Sequence, residues 1–410
     1  MADELAIWLD GRVVAVVERD RQRLRLAYTP AVVSSVPGGT PLLSIQFPVS
    51  NRSFPNGVTR AFLDGLLPEG DSRRVIAEEF GLRSNDTFGL IRALGRDSAG
   101  ALVIQPAEDP RPPTPSVLAA ERLSDGELAE LVAKLRSAPL GVDERVRISL
   151  AGVQEKLALT RLPDGAWGRP VDGAPSTHIL KPDIANCPRT VENEVFCMRL
   201  ARALGLSVAS VEMTTVAGRN LIAVERYDRV VDGAGGVRRQ HQEDICQAMG
   251  LLPTTKYEED GGPSLDKLAR ILSTYDPDAL PTLVQATTLN VLVGNGDAHG
   301  KNFSLTHDGD GRVRLAPLYD VLSTLMYSDE RLAMCIDTVQ RTGRVTATRI
   351  VNEAVSWGLD RDRAHGIVTD LLAQVPDAVA QALAETPDAP QGLLDVIERQ
   401  LAMLQAQRGR

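Results

Sequence analysis

Between positions 294 and 302 the sequence reads GNGDAHGKN, which sets Asp297 and Asn302 five residues apart with His299, Gly300 and Lys301 between them. An apolar stretch precedes this run. The segment from Asn302 to Pro317 follows it and reads as a hairpin turned by Asp308-Gly309-Asp310-Gly311. The hairpin leads directly to Leu318-Tyr319-Asp320. Transfer of a phosphoryl group to a hydroxyl needs a carboxylate beside the attacking oxygen and oxygen ligands for Mg²⁺. Asp297 can supply the first. Asn302, with Asp320 returned to the loop by the hairpin, can supply the second. His299 and Lys301 stand where they can balance phosphate charge. An isolated Asp-x₄-Asn would read more naturally as a polar turn. The order of helix, loop, hairpin and second aspartate favours the chemistry.

Lys181 ends the short apolar run His178-Ile179-Leu180-Lys181. A lysine there commonly snorkels to the surface. A kinase needs one at such a strand end to hold the α- and β-phosphates, paired with a glutamate on a helix. Glu194, one turn into the next helix, fits that partner, and Glu192 fits it less well. Ser149 to Lys156, SLAGVQEK, lacks the spacing of a Walker A loop, and with one glycine it reads by itself as a plain turn. Val224-Glu225-Arg226-Tyr227 closes a strand where a kinase hinge would offer backbone groups to adenine. It is equally an ordinary strand end.

The elements that must carry these residues follow from periodicity. Leu5–Val17 and Leu24–Tyr28 read as strands with Asp10-Gly11 as a turn. Ala61–Leu67, Arg73–Phe80 and Thr87–Leu94 read as helices, with Gly81 as a stop, and Gly100–Ile104 as a strand. Pro106–Pro115, PAEDPRPPTP, is an extended linker, because its prolines cannot donate backbone hydrogen bonds. Ser124–Ser137 has a capping serine and an acidic first turn. Arg147–Thr160 reads as two strands about Ala151-Gly152. Val191–Leu204 is an amphipathic helix stopped by Gly205. Val208–Thr215 and Asn220–Arg226 read as strands about Ala217-Gly218. From Asp244 onward helices dominate, through Leu265–Leu272, Leu283–Val293 and amphipathic stretches beyond Thr346. The expected division is residues 1–105, a linker at 106–116, a β-rich region at 117–229 and a helical region at 230–410.

Composition narrows the function classes. The 410 residues are 43% hydrophobic and 24% charged, as in globular proteins, and aromatics are only 4%, so the cores must rest on aliphatic packing. The net charge of −9 offers no overall surplus of cations for binding nucleic acid phosphates. Cys187, Cys197, Cys246 and Cys335 lack the spacing of a zinc ribbon or redox pair and read as reduced thiols. MADELAIWLDGR is acidic where a secretory leader would be apolar, and no apolar run reaches the length of a membrane span, so a cytoplasmic protein is expected.

Taken together, these segments resemble the HipA family of toxin kinases. The resemblance rests on FLDGLLPEGDSRRVIAEEFGL and GRDSAGAL near the N-terminus, ISLAGVQEKLAL, HILKPD, NEVFCMRLARALGL, VERYDR, GNGDAHGKNFSL and APLYDVLS, in that order over most of the chain. It implies an α+β, bilobal protein-kinase-like fold with a small N-terminal α/β subdomain and a helical C-terminal lobe. It implies a serine/threonine protein kinase that uses ATP and Mg²⁺. By position, Asp297 is similar to the family's catalytic base, Asn302 and Asp320 to its metal ligands, and Lys181 to its nucleotide lysine. Ala151, Gly152, Val153, Gln154, Glu155 and Lys156 match the loop over the phosphates. Glu225, Arg226 and Tyr227 match the adenine-contacting hinge. His299, Gly300, Lys301 and Asn302, with Tyr319 beside Asp320, match further nucleotide contacts. Ser149 matches the serine at which family members phosphorylate and inactivate themselves. The implied partner is a helix-turn-helix HipB-like antitoxin, through which DNA would mainly be contacted. The implied substrate is a translation protein such as an aminoacyl-tRNA synthetase. The competing readings are a small-molecule phosphotransferase, against which the N-terminal segments speak, and a non-catalytic co-repressor, against which intact Asp297, Asn302, Asp320 and Lys181 speak.

Overall fold

The alternation at the N-terminus becomes an antiparallel pair, Asp3–Leu9 and Arg12–Asp20, turned by Asp10 and Gly11, both at positive φ. The computed structural model describes residues 3–135, 137–143 and 145–406. Two compact units divide the chain. The first comprises Met1–Pro182, Thr214–Thr254 and Thr306–Arg312, and the second Asp183–Met213, Thr255–Leu305 and Val313–Arg410. Among the described residues no helix is long and apolar enough to cross a membrane.

In the first unit, the N-terminal sheet has the order Arg23–Tyr28, Arg12–Asp20, Asp3–Leu9, Val103–Pro106. Helices Asn56–Leu66, Gly70–Glu79 and Thr87–Leu94 accompany it, and Phe47, Phe62 and Phe88 are among the largest buried side chains of their common core. The last helix spans the expected residues because Asp86 caps it, accepting the Gly89 N–H. A strand was expected over Gly100–Ile104, but the ladder starts at Val103. Gly100 has φ +78°, donates its N–H to Asp228 and gives its carbonyl to Arg229, so side chains hold this segment instead. Just before it, Asp97–Ser98 pairs in parallel with Ile148–Ser149.

A second sheet runs in the order Val211–Val216, Arg219–Glu225, His178–Pro182, Leu157–Arg161, Trp167–Arg169, Glu121–Arg122. Its strand Leu157–Arg161 is buried on both faces. Leu157 and Leu159 enter a core with Leu128, Val132 and Leu180, while Ala158 joins the N-terminal core. Side chains alternate along a strand. Lys181 therefore shares the face of Ile179, which packs toward the N-terminal core, and lies opposite Leu180. The helix predicted for Ser124–Ser137 spans Asp125–Ala133, with a capping box between Ser124 and Glu127; position 136 lies outside the described residues.

The second unit is mainly helical. Helix Leu280–Val293 is buried around its circumference and packs against the long helix Arg361–Glu385 and against Gln391–Gln405. Its Thr287 and Thr288 tolerate this burial because their hydroxyls donate to the Leu283 and Val284 carbonyls. Arg361–Glu385 also packs on Thr190–Ala203, which begins and ends one residue before the expected Val191–Leu204, with Leu204 as its C-cap. A strand pair, Arg331–Ile336 with Val339–Arg341, interrupts the helices.

Candidate active site

Helix Leu280–Val293 delivers the loop that carries Asp297. It ends in a paired C-terminal cap: the Gly294 N–H donates to the Val291 carbonyl, and the Asn295 N–H to the Asn290 carbonyl at 2.8 Å. Gly294 has φ +68°, and a Cβ there would stand 2.6 Å from that of Leu325, so both backbone and neighbour require glycine. The Gly294 carbonyl in turn accepts the N–H groups of Thr324 and Leu325, which fixes the loop to the segment after Asp320.

Within the loop the backbone bonds to itself. The His299 N–H reaches the Asp297 carbonyl at 2.8 Å and the Asn302 N–H the His299 carbonyl at 2.9 Å. The Asn302 side-chain amide donates to an Asp320 carboxylate oxygen at 2.8 Å. The hairpin therefore does return Asp320 to the loop, and Asp320 itself has φ +60°, in the left-handed region. The Tyr319 hydroxyl donates to the Lys301 carbonyl at 2.6 Å and meets the Ser304 hydroxyl at 2.7 Å. Leu318 is anchored on both sides, its N–H to the Ser207 carbonyl and its carbonyl to the Ala209 N–H. Lys301 and Asn302 are buried, as is His299, whose Nδ1 faces the Lys301 N–H.

Solvent reaches the Asp297 carboxylate, yet protein crowds it on its other sides. That desolvation raises its pKa above the ordinary value, against the hydrogen bond from Tyr257 and the charge of Lys256, which lower it. Burial, with Lys256 nearby, lowers His299 to about 3, so its imidazole is neutral near pH 7. With Nδ1 accepting, the proton of that imidazole is assigned to Nε2.

Sequence reading missed Lys256 and Tyr257. The Tyr257 hydroxyl donates to Asp297 Oδ1 at 3.0 Å, its ring stands edge-on to His299 at 5.4 Å, and the Lys256 carbonyl accepts the Gly300 N–H. A tyrosine 40 residues upstream carries no periodic signal that would have linked it to the loop.

In the first unit, the candidate phosphate loop is held inward. Two hydrogen bonds join Gly152 to Glu69, its N–H going to the Glu69 carboxylate and its carbonyl accepting the Glu69 N–H. The Lys156 ammonium closes the loop on the Ala151 carbonyl at 2.6 Å. Gly152 has φ +110°, and a Cβ there would meet that ammonium. Gln154 donates to the Pro182 carbonyl, Val153 is 56% exposed, and Ala151 and Glu155 are half-buried. Ser149 is 0% exposed, and its hydroxyl donates to the Leu66 carbonyl at 2.6 Å. Lys181 is buried in its strand opposite Ile222. In the second unit, Glu192 and Glu194 are buried on helix Thr190–Ala203.

The hinge segment is divided in its roles. Glu225 is exposed at the strand end and Tyr227 half-buried, with its hydroxyl bonded to Gln242. Arg226 is spent on structure. Its N–H goes to the Thr177 carbonyl, and its guanidinium is buried against Asp228, Asp97, Ser176 and the Ser98 carbonyl. Arg229 and Arg239 complete this buried cluster around Asp97. Three arginines and two aspartates scattered between Asp97 and Arg239 leave no local pattern, which is why Asp97 and Gln242 escaped notice and the Arg238-Arg239 pair reads as a solvated face although Arg239 is buried.

A buried helix that presents an Asp-x₄-Asn loop, with a second aspartate bonded to the asparagine, is the arrangement of a phosphotransferase of the kinase class. Comparison with known proteins names the kind. The HipA N-terminal domain model matches residues 5–105 and the HipA-like C-terminal domain model residues 148–379. The Sinorhizobium fredii protein Y4mE is 40% identical over 394 residues, covering 94% of this chain and 93% of its own. The serine/threonine-protein kinase toxin HipA of Shewanella oneidensis is 31% identical over 84% of this chain and 82% of its own. The solved structure of the Shewanella oneidensis HipA, HipB and operator DNA complex matches with a TM-score of 0.83 at 28% identity, covering 98% of this chain and 96% of that one. The chain belongs to the HipA family. It is a kinase with that family's α+β fold.

Proposed function

We propose that this kinase is the toxin of a two-component toxin–antitoxin pair. It transfers the γ-phosphoryl group of ATP to a serine or threonine of a translation protein, an aminoacyl-tRNA synthetase being the candidate class. Its antitoxin is a HipB-like helix-turn-helix protein that makes most of the contact with DNA. The observation that carries the catalytic reading is the 2.8 Å contact between Asn302, on the loop that holds Asp297, and Asp320, on the segment the hairpin returns to it, which puts an amide and a carboxylate side by side.

Magnesium is commonly held by one or two carboxylates together with substrate phosphates. One carboxylate and one amide oxygen are such a donor set, so Asp320 and Asn302 would hold the ion. Bound there, it would neutralise charge on the phosphates. Asp297 orients the substrate hydroxyl and accepts its proton. His299, neutral, can donate from Nε2 without adding charge, and Lys301, Gly300 and Tyr319 shape the nucleotide contacts. Lys181 engages the α- and β-phosphates. Ala151 to Lys156 cover the phosphates, and Glu225 to Tyr227 meet the base. For Arg226 that contact falls to the backbone carbonyl, since its side chain is committed elsewhere.

Tyr257 steers Asp297 in this reading. Removing its hydroxyl in Tyr257→Phe takes away a hydrogen bond that lowers the Asp297 pKa. The acid limb of kcat should therefore move to higher pH, and kcat should fall by about 3–10-fold with ATP affinity kept. A pH–rate profile superimposing on that of the wild type would remove this role.

Ser149 is the site of self-inactivation. Its hydroxyl is sealed against Leu66, so modification requires strand Ile148–Ser149 to peel from Asp97–Ser98. A phosphate of about −1.5 to −2 charges cannot return to that buried position without extensive neutralisation. The phosphate loop should then stay outside its inward arrangement. Protein incubated with labelled Mg·ATP and read by mass spectrometry should gain phosphate at Ser149 as activity decays. Ser149→Ala should stay active for longer. Activity that decays while Ser149 stays unmodified rejects self-inactivation. Labelled ATP that transfers nothing to any protein rejects the kinase reading of this site.

A further inference from the structure

A cavity of about 330 Å³ lies wholly within the first unit, and no residue given a nucleotide role above lines it. One wall is apolar, formed by Trp8, Val103, Pro112, Pro115 and Val237. The rest is cationic: Arg96, Arg111, Arg238 and Arg239 line it against the single carboxylate of Asp10. Arg96 is neutralised by Asp109 at 2.6 Å. Arg111 and Arg238 have no carboxylate partner among the described residues.

Arg239 links the cavity to an unbalanced charge cluster. It belongs to the buried group in which Arg226, Arg229 and Arg239 share the two carboxylates Asp97 and Asp228, one positive charge in excess. Its contact with Asp97 is long, at 3.5 Å, and its Nε is buried with no acceptor. Trp8 Nε1, on the same cavity, is likewise a buried donor with no acceptor. Buried donors are rarely left unmet. Here two of them, one on the guanidinium in excess, and two further arginines that lack a carboxylate partner converge on one half-open space.

We propose that this cavity is a binding site for a small organic oxyanion, a phosphate monoester or a carboxylate carried on a compact apolar body. The volume is that of a small-ligand site, which typically begins at about 300 Å³. Guanidinium forks match the oxygens of phosphate and carboxylate alike. The Trp8 and proline wall would cover the body of the ligand. Arg239 would gain the counter-ion that its cluster lacks. The linker Pro106–Pro115 thus forms part of a binding wall, held in place by Gln105, which donates to the Pro110 carbonyl at 2.7 Å.

The test is calorimetric titration of the whole chain with phenyl phosphate and, separately, benzoate, while Mg²⁺ and a non-hydrolysable ATP analogue saturate the kinase site. Saturable binding of at least one probe with one-to-one stoichiometry is expected, with quenching of Trp8 emission that disappears in Trp8→Phe. Preference for phenyl phosphate assigns a phosphate ligand, and preference for benzoate a carboxylate. Arg111→Ala/Arg238→Ala removes two exposed side chains and should weaken binding about tenfold or more. Arg270→Ala/Arg341→Ala, an equal loss of charge on the other unit, should bind as the wild type does. The proposal is overturned if neither probe saturates, if Arg111→Ala/Arg238→Ala binds unchanged, or if the two double variants weaken equally.

Discussion

Asp297→Ala should lower phosphoryl transfer by about 10²–10⁴-fold while Mg·ATP still binds with nearly wild-type affinity. The fold should not suffer. Among the described residues the Asp297 carboxylate accepts a hydrogen bond only from Tyr257, and its own N–H donates to Asn295, which the substitution keeps. A carboxylate reached by solvent, held by one tyrosine and lifted above its ordinary pKa is poised to take a proton instead of supporting the structure. The base is competent when ionised, so the rate should fall as pH drops through this raised pKa, at higher pH than for an ordinary aspartate. Asp320→Ala supplies the contrast: if Asp320 holds Mg²⁺ as proposed, its loss should weaken Mg·ATP binding as well as the rate. Radiolabel transfer and nucleotide titration on both variants check this. A well-folded Asp297→Ala protein that turns over like the wild type would refute the assignment.

The second large effect concerns stability. Asp97→Ala should cost about 3–5 kcal/mol, read as a fall in the midpoint of thermal or urea unfolding. Asp97 and Asp228 are buried together with Arg226, Arg229 and Arg239. Burial alone would raise the Asp97 pKa, but Arg229, Arg226 and Arg239 overcome it and hold the carboxyl well below the usual range. A depressed folded-state pKa means that the stabilisation is complete above the unfolded value of 3.8 and is lost only as pH falls through the folded one. Asp97→Ala should therefore be weaker than wild type at every pH above about 4, with the gap closing only in strong acid. Removing the carboxylate leaves three guanidiniums facing Asp228 alone, a charge imbalance that the interior cannot hydrate. The same residue begins the two-residue strand that pairs with Ile148–Ser149. Asp97→Ala should thus also speed labelling of Ser149 by freeing its strand. An unfolding midpoint within about 1 kcal/mol of wild type would show that the cluster is not the anchor described here.

Local signals and long-range ones separate cleanly in this chain. Helix Thr87–Leu94 and the turn at Asp10-Gly11 appear where the sequence puts them, because a cap or a positive-φ pair acts within four residues. The same holds for Gly294. Its place after an apolar run already marks a helix end, and the cap hydrogen bonds realise it. The strand expected at Gly100–Ile104 starts only at Val103, for the opposite reason. Asp228 and Arg229, about 130 positions away, take the backbone groups that a ladder would have used.

The sequence by itself determined the chemistry on offer and the family: an Asp-x₄-Asn loop, a returning aspartate, a lysine ending a strand and the segments around them. Residue type and short spacing carry that information, and no packing is needed to read it. Only the tertiary structure decided which groups are used for what. It seals Ser149 against Leu66, commits the Arg226 guanidinium to a buried cluster, brings Tyr257 onto Asp297 and leaves a cationic cavity behind a proline linker. Each of these depends on burial and on partners far apart in the chain. The energies of hydrogen bonds and charges are set by whether water is excluded around them, and that is settled only once the chain has folded.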